Sequence, residues 1–418
     1  MGTFAAGAQE TAPSKLSLSL AQAEQFAVEH NRTLANASID IQKAQANKWK
    51  AIASMLPQVK GTVDYSNYFG YRMSIGGMEI AMPPYATMGV TSSIALNGQM
   101  VVSVGMAEIS RKMADINLKK SERDIRNQVK QLYFSALVTE SSLDLLRENL
   151  KSMQKLYEVS QNSVDVGVAE QTSADQLKVQ VASMEAAINS TERALEMVYS
   201  MMRLQLTLDE TTDIQLTQSI DDLLDFTSIE ALMSELFDIE KNYDYQLLKQ
   251  STDLARKQVA LAGWANSPTL SVFHQYSSKH YFSDEMTMNM TPPNMMGVSL
   301  SIPIFTSLAN TSARKDAKLA YQKQLNTLMD TELALNVQHS QLVFNLKSAI
   351  EKYNTQKQGF EVAQRVFDNM ALKYEHGIAS SLDVTNAGTS LINAQSSFVQ
   401  SVLEIVDDAI SLSELLNK

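Results

Sequence analysis

Apolar and polar side chains alternate strictly between residues 58 and 72. Val59, Gly61, Val63, Tyr65, Asn67, Phe69 and Tyr71 fall on one face, and Lys60, Thr62, Asp64, Ser66, Tyr68, Gly70 and Arg72 fall on the other. The same period runs through 87–97, where Met88, Val90, Ser92, Ile94 and Leu96 oppose Gly89, Thr91, Ser93, Ala95 and Asn97. It returns over 269–282 and over 295–305, where Met296, Val298, Leu300, Ile302 and Ile304 oppose Gly297, Ser299 and Ser301. A period of two predicts strands whose faces meet unlike surroundings. Strands of about ten residues with one apolar and one hydroxyl-rich face fit a transmembrane barrel with a wet interior. The same alternation fits a soluble β-sandwich, and the strands alone do not separate the two. The smallest membrane barrels have about eight strands. If these four span a bilayer, several chains must pool them.

Around the strands the period changes to that of helices. Leu143, Leu146, Leu150, Met153, Tyr157, Ser160 and Val164 alternate spacings of three and four, as do Val384, Ala387, Leu391, Ala394, Phe398, Ser401 and Ile405. That is a coiled-coil seam. Helices are predicted over about 17–31, 34–56, 98–165, 171–208, 219–240, 243–265, 308–375 and 380–416. The two longest rise about 100 Å each at 1.5 Å per residue.

The order of elements occurs twice, at an offset of about 208–211 residues. Gly89-Val-Thr-Ser-Ser-Ile-Ala-Leu96 parallels Gly297-Val-Ser-Leu-Ser-Ile-Pro-Ile304, Asp165-Val-Gly-Val-Ala169 parallels Glu375-His-Gly-Ile-Ala379, and Glu29-His-Asn31 parallels Glu240-Lys-Asn242. The organisation expected is therefore an N-terminal segment 1–15, a first structural repeat 16–215 and a second 216–418. The strands at about 58–72, 87–97, 269–282 and 295–305 would form the barrel part. Helices would make up the remainder.

Composition narrows the function classes. There is no cysteine among 418 residues, which removes disulfides, thiolate zinc sites, thiol catalysis and an N-terminal lipidated cysteine. The five histidines (His30, His274, His280, His339 and His376) are scattered, and no His-based metal motif occurs. A net charge of −11 gives no general attraction to nucleic acid or anionic lipid. No apolar run reaches the ~20 residues of a transmembrane helix. Ala6-Gly7-Ala8 has the small-x-small form of a signal-peptidase site, so 1–15 reads as a secretory-signal remnant or as an ordinary alanine-rich terminus. No phosphate-cradling loop, nucleophile elbow or carboxylate dyad is present, so no enzyme activity and no cofactor are expected.

Two further groups carry double readings. Met286, Met288, Met290, Met295 and Met296, with Met73, Met78, Met82 and Met88 in the equivalent region, could capture soft cations or serve as adaptable apolar filler. Asp165, Glu170, Asp175 and Glu375 beside the helix turns could dock a basic partner or be solvated helix ends.

The ordered set of features resembles the TolC family of trimeric outer-membrane channels. It rests on the duplicated helix–strand–strand–helix order and on Leu16-Ser-Leu-Ser-Leu-Ala-Gln-Ala-Glu24 followed by Asn31-Arg-Thr-Leu34. It rests also on Leu56-Pro57 before the first strand and on Tyr374-Glu-His-Gly-Ile-Ala-Ser-Ser-Leu-Asp-Val384. The resemblance implies a mixed fold: a long α-helical coiled-coil barrel joined to a transmembrane β-barrel of four strands per chain and twelve in a trimer. It implies a passive outer-membrane exit duct of a tripartite efflux pump or type I secretion system, extending into the periplasm. The partners implied are a periplasmic adaptor and an inner-membrane transporter, with outer-membrane lipid around the barrel and no nucleic acid.

By the same resemblance the helix tips close the duct and dock the adaptor, at the turns of Gly167, Val168, Gly377 and Ile378. Asp383 matches the family's first constriction aspartate, and three copies would form a carboxylate ring; the residue reads equally as a carboxylate at a helix N-terminus. Asn386 stands where the second constriction aspartate belongs, Ala379 where the latch arginine belongs, and Tyr374 matches the latch tyrosine. The alternative function is a soluble periplasmic adaptor or a structural coiled-coil protein.

Overall fold

The structure, a computed structural model, describes residues 15–223, 225–283 and 292–418. Ala6-Gly7-Ala8 and Met286, Met288 and Met290 lie outside the described residues. Along the chain run β1 (Lys15–Leu18), α1 (Leu20–His30), α2 (Arg32–Ala53), β2 (Gln58–Ser66), β3 (Arg72–Ile75), β4 (Met78–Ala81), β5 (Tyr85–Leu96), α3 (Gly98–Asp165) and α4 (Gln171–Leu206). After these come β6 (Asp213–Leu216), α5 (Ile220–Leu223), α6 (Phe226–Met233), α7 (Tyr243–Gly263), β7 (Thr269–Tyr281), β8 (Asn294–Ser301), α8 (Ala309–Glu375) and α9 (Ser381–Leu416). Two compact units result, each drawing on both halves of the sequence.

One unit spans Ser38–Asn117 and Gln246–Asp330. Its centre is an antiparallel sheet in the order β2–β5–β7–β8. Cross-strand register puts Val59, Ser92, His274 and Met296 in one row, with Gly61, Val90 and Tyr276 in the next row on that face. Leu96, Leu270 and Leu300 form a further row. This face is apolar yet uncovered: Val63 is 72% exposed, Met296 73% and Val298 68%. The opposite face carries Lys60–Thr91–Gln275 and Asp64–Thr87–Lys279. Among the described residues β2 and β8 each pair on one side only, so two rows of backbone donors and acceptors are left open.

Several boundaries differ from the sequence reading. The helix expected from about 17 begins only at Leu20, after the strand β1 and the Ser19 cap. The first strand stops at Ser66 rather than 72, because the Asn67 side chain accepts the Phe69 N–H at 2.8 Å and Phe69 and Gly70 turn through positive φ. A separate hairpin, β3–β4, follows. The last strand ends at Ser301, before Pro303, whose ring nitrogen has no proton for a ladder. The segment 219–240 is not one helix. Asp225 caps a restart at α6 by accepting the Thr227 N–H at 3.0 Å, and a short 3-10 turn at Ile239–Lys241 precedes α7.

The other unit runs up to Ala37 and includes Leu118–Tyr245 and Thr331–Lys418. Its largest apolar cluster joins Ala23 and Ala27 of α1 to Val129, Tyr133 and Leu137 of α3 and to Tyr199, Met202 and Leu206 of α4. β1 and β6 pair in parallel at its edge. The repeated Asn31 and Asn242 acquire a physical meaning here. Asn31 Nδ2 donates to the Gln205 carbonyl at the end of α4 (3.0 Å), while its Oδ1 accepts the Thr33 N–H (2.8 Å). Asn242 Nδ2 donates to the Leu415 carbonyl at the end of α9 (3.0 Å), and its Oδ1 accepts the Tyr245 N–H (3.1 Å). Each amide thus ties the start of one helix to the free carbonyls ending another, and both are buried. Asn242→Leu strands a buried carbonyl and an N–H. It is expected to lower stability by about 1–3 kcal/mol, read as a lower melting temperature, whereas substitution of the exposed Lys241 is expected to change it little.

Candidate functional site

The candidate site lies at the two turns that reverse the long helices. At the first, the Val168 N–H donates to the Ser163 carbonyl (2.8 Å) and the Gly167 N–H to that of Val164 (2.9 Å). At the second, Ile378 donates to Lys373 (2.8 Å) and Gly377 to Tyr374 (2.9 Å). Both are Schellman endings, which require a left-handed residue after the cap. Gly167 and Gly377, at φ +76° and +70°, supply it without a Cβ penalty. The turns leave Val166, Val168 and Ile378 in water, each at least 74% exposed.

The start of α9 differs from the start of α4. Ser380 Oγ accepts the Asp383 N–H (3.2 Å), and Asp383 Oδ2 accepts the Ser380 N–H (2.9 Å) and its hydroxyl (2.7 Å). This is a complete capping box. Glu170, the corresponding cap of α4, makes no such bond to the helix. The Ser380 hydroxyl and backbone N–H hold the Asp383 carboxyl below the usual carboxylate range. A carboxyl depressed in the folded state stabilises above its unfolded pKa, and that contribution is lost as pH falls through the folded value. Ser380→Ala is therefore expected to melt below the parent at pH 7. The gap should close as the buffer is taken down through the acid range, which a pair of thermal-melt series would reveal.

Asp383 and Asn386 lie one turn apart, both exposed, while the residue after each, Val384 and Ala387, is buried. The two candidate constriction residues therefore share one open face of α9. Tyr374 stands on α8, next to its last residue. Its ring packs against the cluster formed by Met153 and Leu156 of α3, Leu177 and Met184 of α4, Phe367 of α8, and Val384, Ala387 and Leu391 of α9.

Contacts that sequence reading does not isolate tie the two helical hairpins together. Ser381 Oγ donates to Gln176 Oε1 at 2.7 Å, Gln395 Nε2 donates to the Ser142 carbonyl at 2.8 Å, and Lys155 pairs with Glu375 at 2.6 Å. Glu375, one of the acidic residues flanking the turns, is thus engaged within the chain. Their signal in sequence is faint. A glutamine or serine at a seam position of a coiled coil is an ordinary helix residue until its neighbour is known. Among the described residues no helix is long and apolar enough to cross a membrane, and no cluster of acidic or imidazole side chains fits a metal ion.

Comparison with known proteins adds three findings. The sequence model of the family described as outer membrane efflux protein matches residues 25–197 and 239–418. Outer membrane protein TolC of Vibrio cholerae serotype O1 is 23% identical over 340 residues, which are 75% of this chain and 74% of the relative. Among solved structures, the outer membrane protein VceC from Vibrio cholerae superposes with a TM-score of 0.79 at 16% identity, covering 95% of both chains. A membrane protein from Pseudomonas aeruginosa superposes with a TM-score of 0.80 at 15% identity, covering 95% of this chain and 90% of the other.

Proposed function

We propose, because this chain belongs to the outer membrane efflux protein family, that three copies of it form a passive exit duct. An adaptor and an inner-membrane pump would open it at the periplasmic helix tips. The protein is an outer membrane efflux channel with the TolC-like mixed fold.

The observation that carries the trimer is the sheet. Four strands, two open edges, one apolar face in water and one polar face form a segment of wall that is incomplete alone. Pairing the edges between copies satisfies the ladder, and lipid covers the apolar side. The duct supplies a hydrated path and does no chemistry; the work of transport falls to the inner-membrane partner.

At the tips, the exposed Val166, Val168 and Ile378 are a surface for an adaptor. The open face of Asp383 and Asn386 suits a pore lining, with one carboxylate ring and one neutral amide ring in a trimer. A carboxylate ring concentrates cations. With Ala379 at the latch position and Tyr374 packed inward, closure rests on packing and neutral hydrogen bonds in place of a charged latch.

Detergent-extracted protein is expected at three times the 46.3 kDa chain mass and to conduct in planar bilayers. Asp383→Ala is expected to weaken both cation preference and block by divalent ions. A monodisperse, detergent-free monomer would overturn the trimer. A conducting trimer whose selectivity ignores Asp383→Ala would overturn the ring alone.

A further inference from the structure

Among the described residues the open edges of the sheet belong to β2 and β8, and backbone direction decides which residues each edge offers. The Ser277 N–H donates to the Pro293 carbonyl (2.8 Å). Odd residues of β8 therefore turn to β7, and the even ones, Met296, Val298 and Leu300, turn outward. The Phe282 N–H donates to the Pro84 carbonyl (2.9 Å), so even residues of β5 turn to β7 and odd ones to β2. Their register partners on β2 are its even residues. Val59, Gly61, Val63 and Tyr65 are left with N–H and C=O pointing out. In an antiparallel pair such residues meet face on and exchange two bonds. On both edges the outward set is also the set on the apolar, uncovered face. Three antiparallel pairings separate β2 from β8, so the two run in opposite directions. One edge of a copy thus fits the other edge of the next, head to tail, which is the arrangement that closes a ring.

The stagger between copies follows from closure. Within one copy Val59 is level with Met296, through Ser92 and His274. The helix-side ends of the strands step down along the sheet. Gln58 is level with Ser93, while β5 runs on to Leu96 and β8 reaches Ser301 opposite Thr269. At about 4.8 Å between strands and about 3.4 Å per residue, a tilt of about 45° over four strands needs a stagger of roughly 5.6 residues per copy. Apolar face must meet apolar face, so the stagger is even, and the nearest even value is about six. The opposite sense would set β8 against α2, which has no ladder to offer. We infer that β8 of one copy pairs with β2 of the next with Val59 opposite Ile302, Gly61 opposite Leu300, Val63 opposite Val298 and Tyr65 opposite Met296. This rests on the exit-duct reading, in which three copies close one barrel. It accounts for Ile302 and Ile304, 53% and 95% exposed beyond the end of β8: they carry the lipid face on beside Val59 and Pro57. Pro303 ends the ladder with β7, but its nitrogen lies on that side and leaves the outer edge intact. All nine residues of Gln58–Ser66 then face 295–303, close to the ~9–11 residues of a strand that crosses a bilayer.

The test uses paired cysteines in the full chain, which has none of its own. Lys60→Cys with Ser301→Cys places two thiols opposite each other on the polar face, at a pair without hydrogen bonds, where Cα atoms approach to about 4.5 Å. Oxidation with copper phenanthroline is expected to give covalent dimers and trimers in SDS. Lys60→Cys with Ser299→Cys, a diagonal pair at about 7–8 Å, is expected to give about tenfold less. Within one copy β5 and β7 stand between Lys60 and either serine, so any link joins copies. Should the first pair fail to assemble, Thr62→Cys with Ser299→Cys reports the same register. A link that favours Lys60→Cys with Ser299→Cys means a stagger of about four residues and overturns the inferred register. So does a trimer by mass in detergent that links through none of these pairs. A detergent-extracted monomer overturns the exit-duct reading and the register with it.

Discussion

Val90→Arg is expected to abolish recovery of the assembled channel, whereas Thr91→Arg, the next residue on the same strand, is expected to leave it intact. Val90 lies midway along β5, between Gly61 and Tyr276 in register, on the face that carries Val63, Met88, Val272 and Val298. Thr91 lies between Lys60 and Gln275 on the other face. An arginine on the lipid side of a barrel at the bilayer midplane costs about 2–4 kcal/mol, while lumen substitutions change selectivity instead. The cost recurs in every copy, and a barrel closes only when all copies insert. The measurement is the yield of heat-dissociable trimer in the outer-membrane fraction. The same comparison reads the orientation of the sheet. If Thr91→Arg fails and Val90→Arg assembles, the faces have been assigned the wrong way round.

How much of this was open to sequence reading depended on the range of the interaction that sets each feature. The helix expected over 98–165 runs Gly98–Asp165, because seam spacing, a strand on one side and Gly167 on the other all act locally. Strand faces were legible for the same reason. The end of β2 was not, since residues 67–71 keep the alternation of a strand while Asn67 and the positive φ of Phe69 and Gly70 bend it into a turn. The β1–β6 pair joins residues nearly 200 positions apart through four-residue strands, too short to show a period. At the tips, the glycines could be found from their turn chemistry. The roles of Asp383 and Ser380 could be found only in part. Ser-x-x-Asp at 380–383 fits a helix start, but whether its carboxylate also faces a pore depends on neighbouring copies. Gln176 and Gln395 were invisible because a glutamine seam contact carries no pattern of its own.

Phe367→Ala is expected to loosen the helix tips more than removal of any polar contact there. Phe367 is 1% exposed and stands where α3, α4, α8 and α9 meet, against Met153, Leu177 and Leu391. At Gly388 opposite it, a Cβ would press on Met153 Cε at 3.0 Å and meet Phe367 Cε2 at an ordinary contact distance of 3.6 Å. Truncating a buried phenylalanine costs about 3–5 kcal/mol, part of it the cavity left behind. The competing ties are weaker. The neutral bonds Ser381–Gln176 and Gln395–Ser142 are each worth about 0.5–1.5 kcal/mol net. Lys155–Glu375 is a surface pair, with the lysine 65% exposed, worth about 0–1 kcal/mol. Apolar packing therefore sets how firmly the two hairpins hold together. Phe367→Ala should lower the melting temperature markedly and shorten closed dwell times in single-channel records. Phe367→Leu should recover most of both, and Lys155→Ala should change neither much. A Lys155→Ala variant that opens the duct as far as Phe367→Ala would instead place the hold in the ion pair.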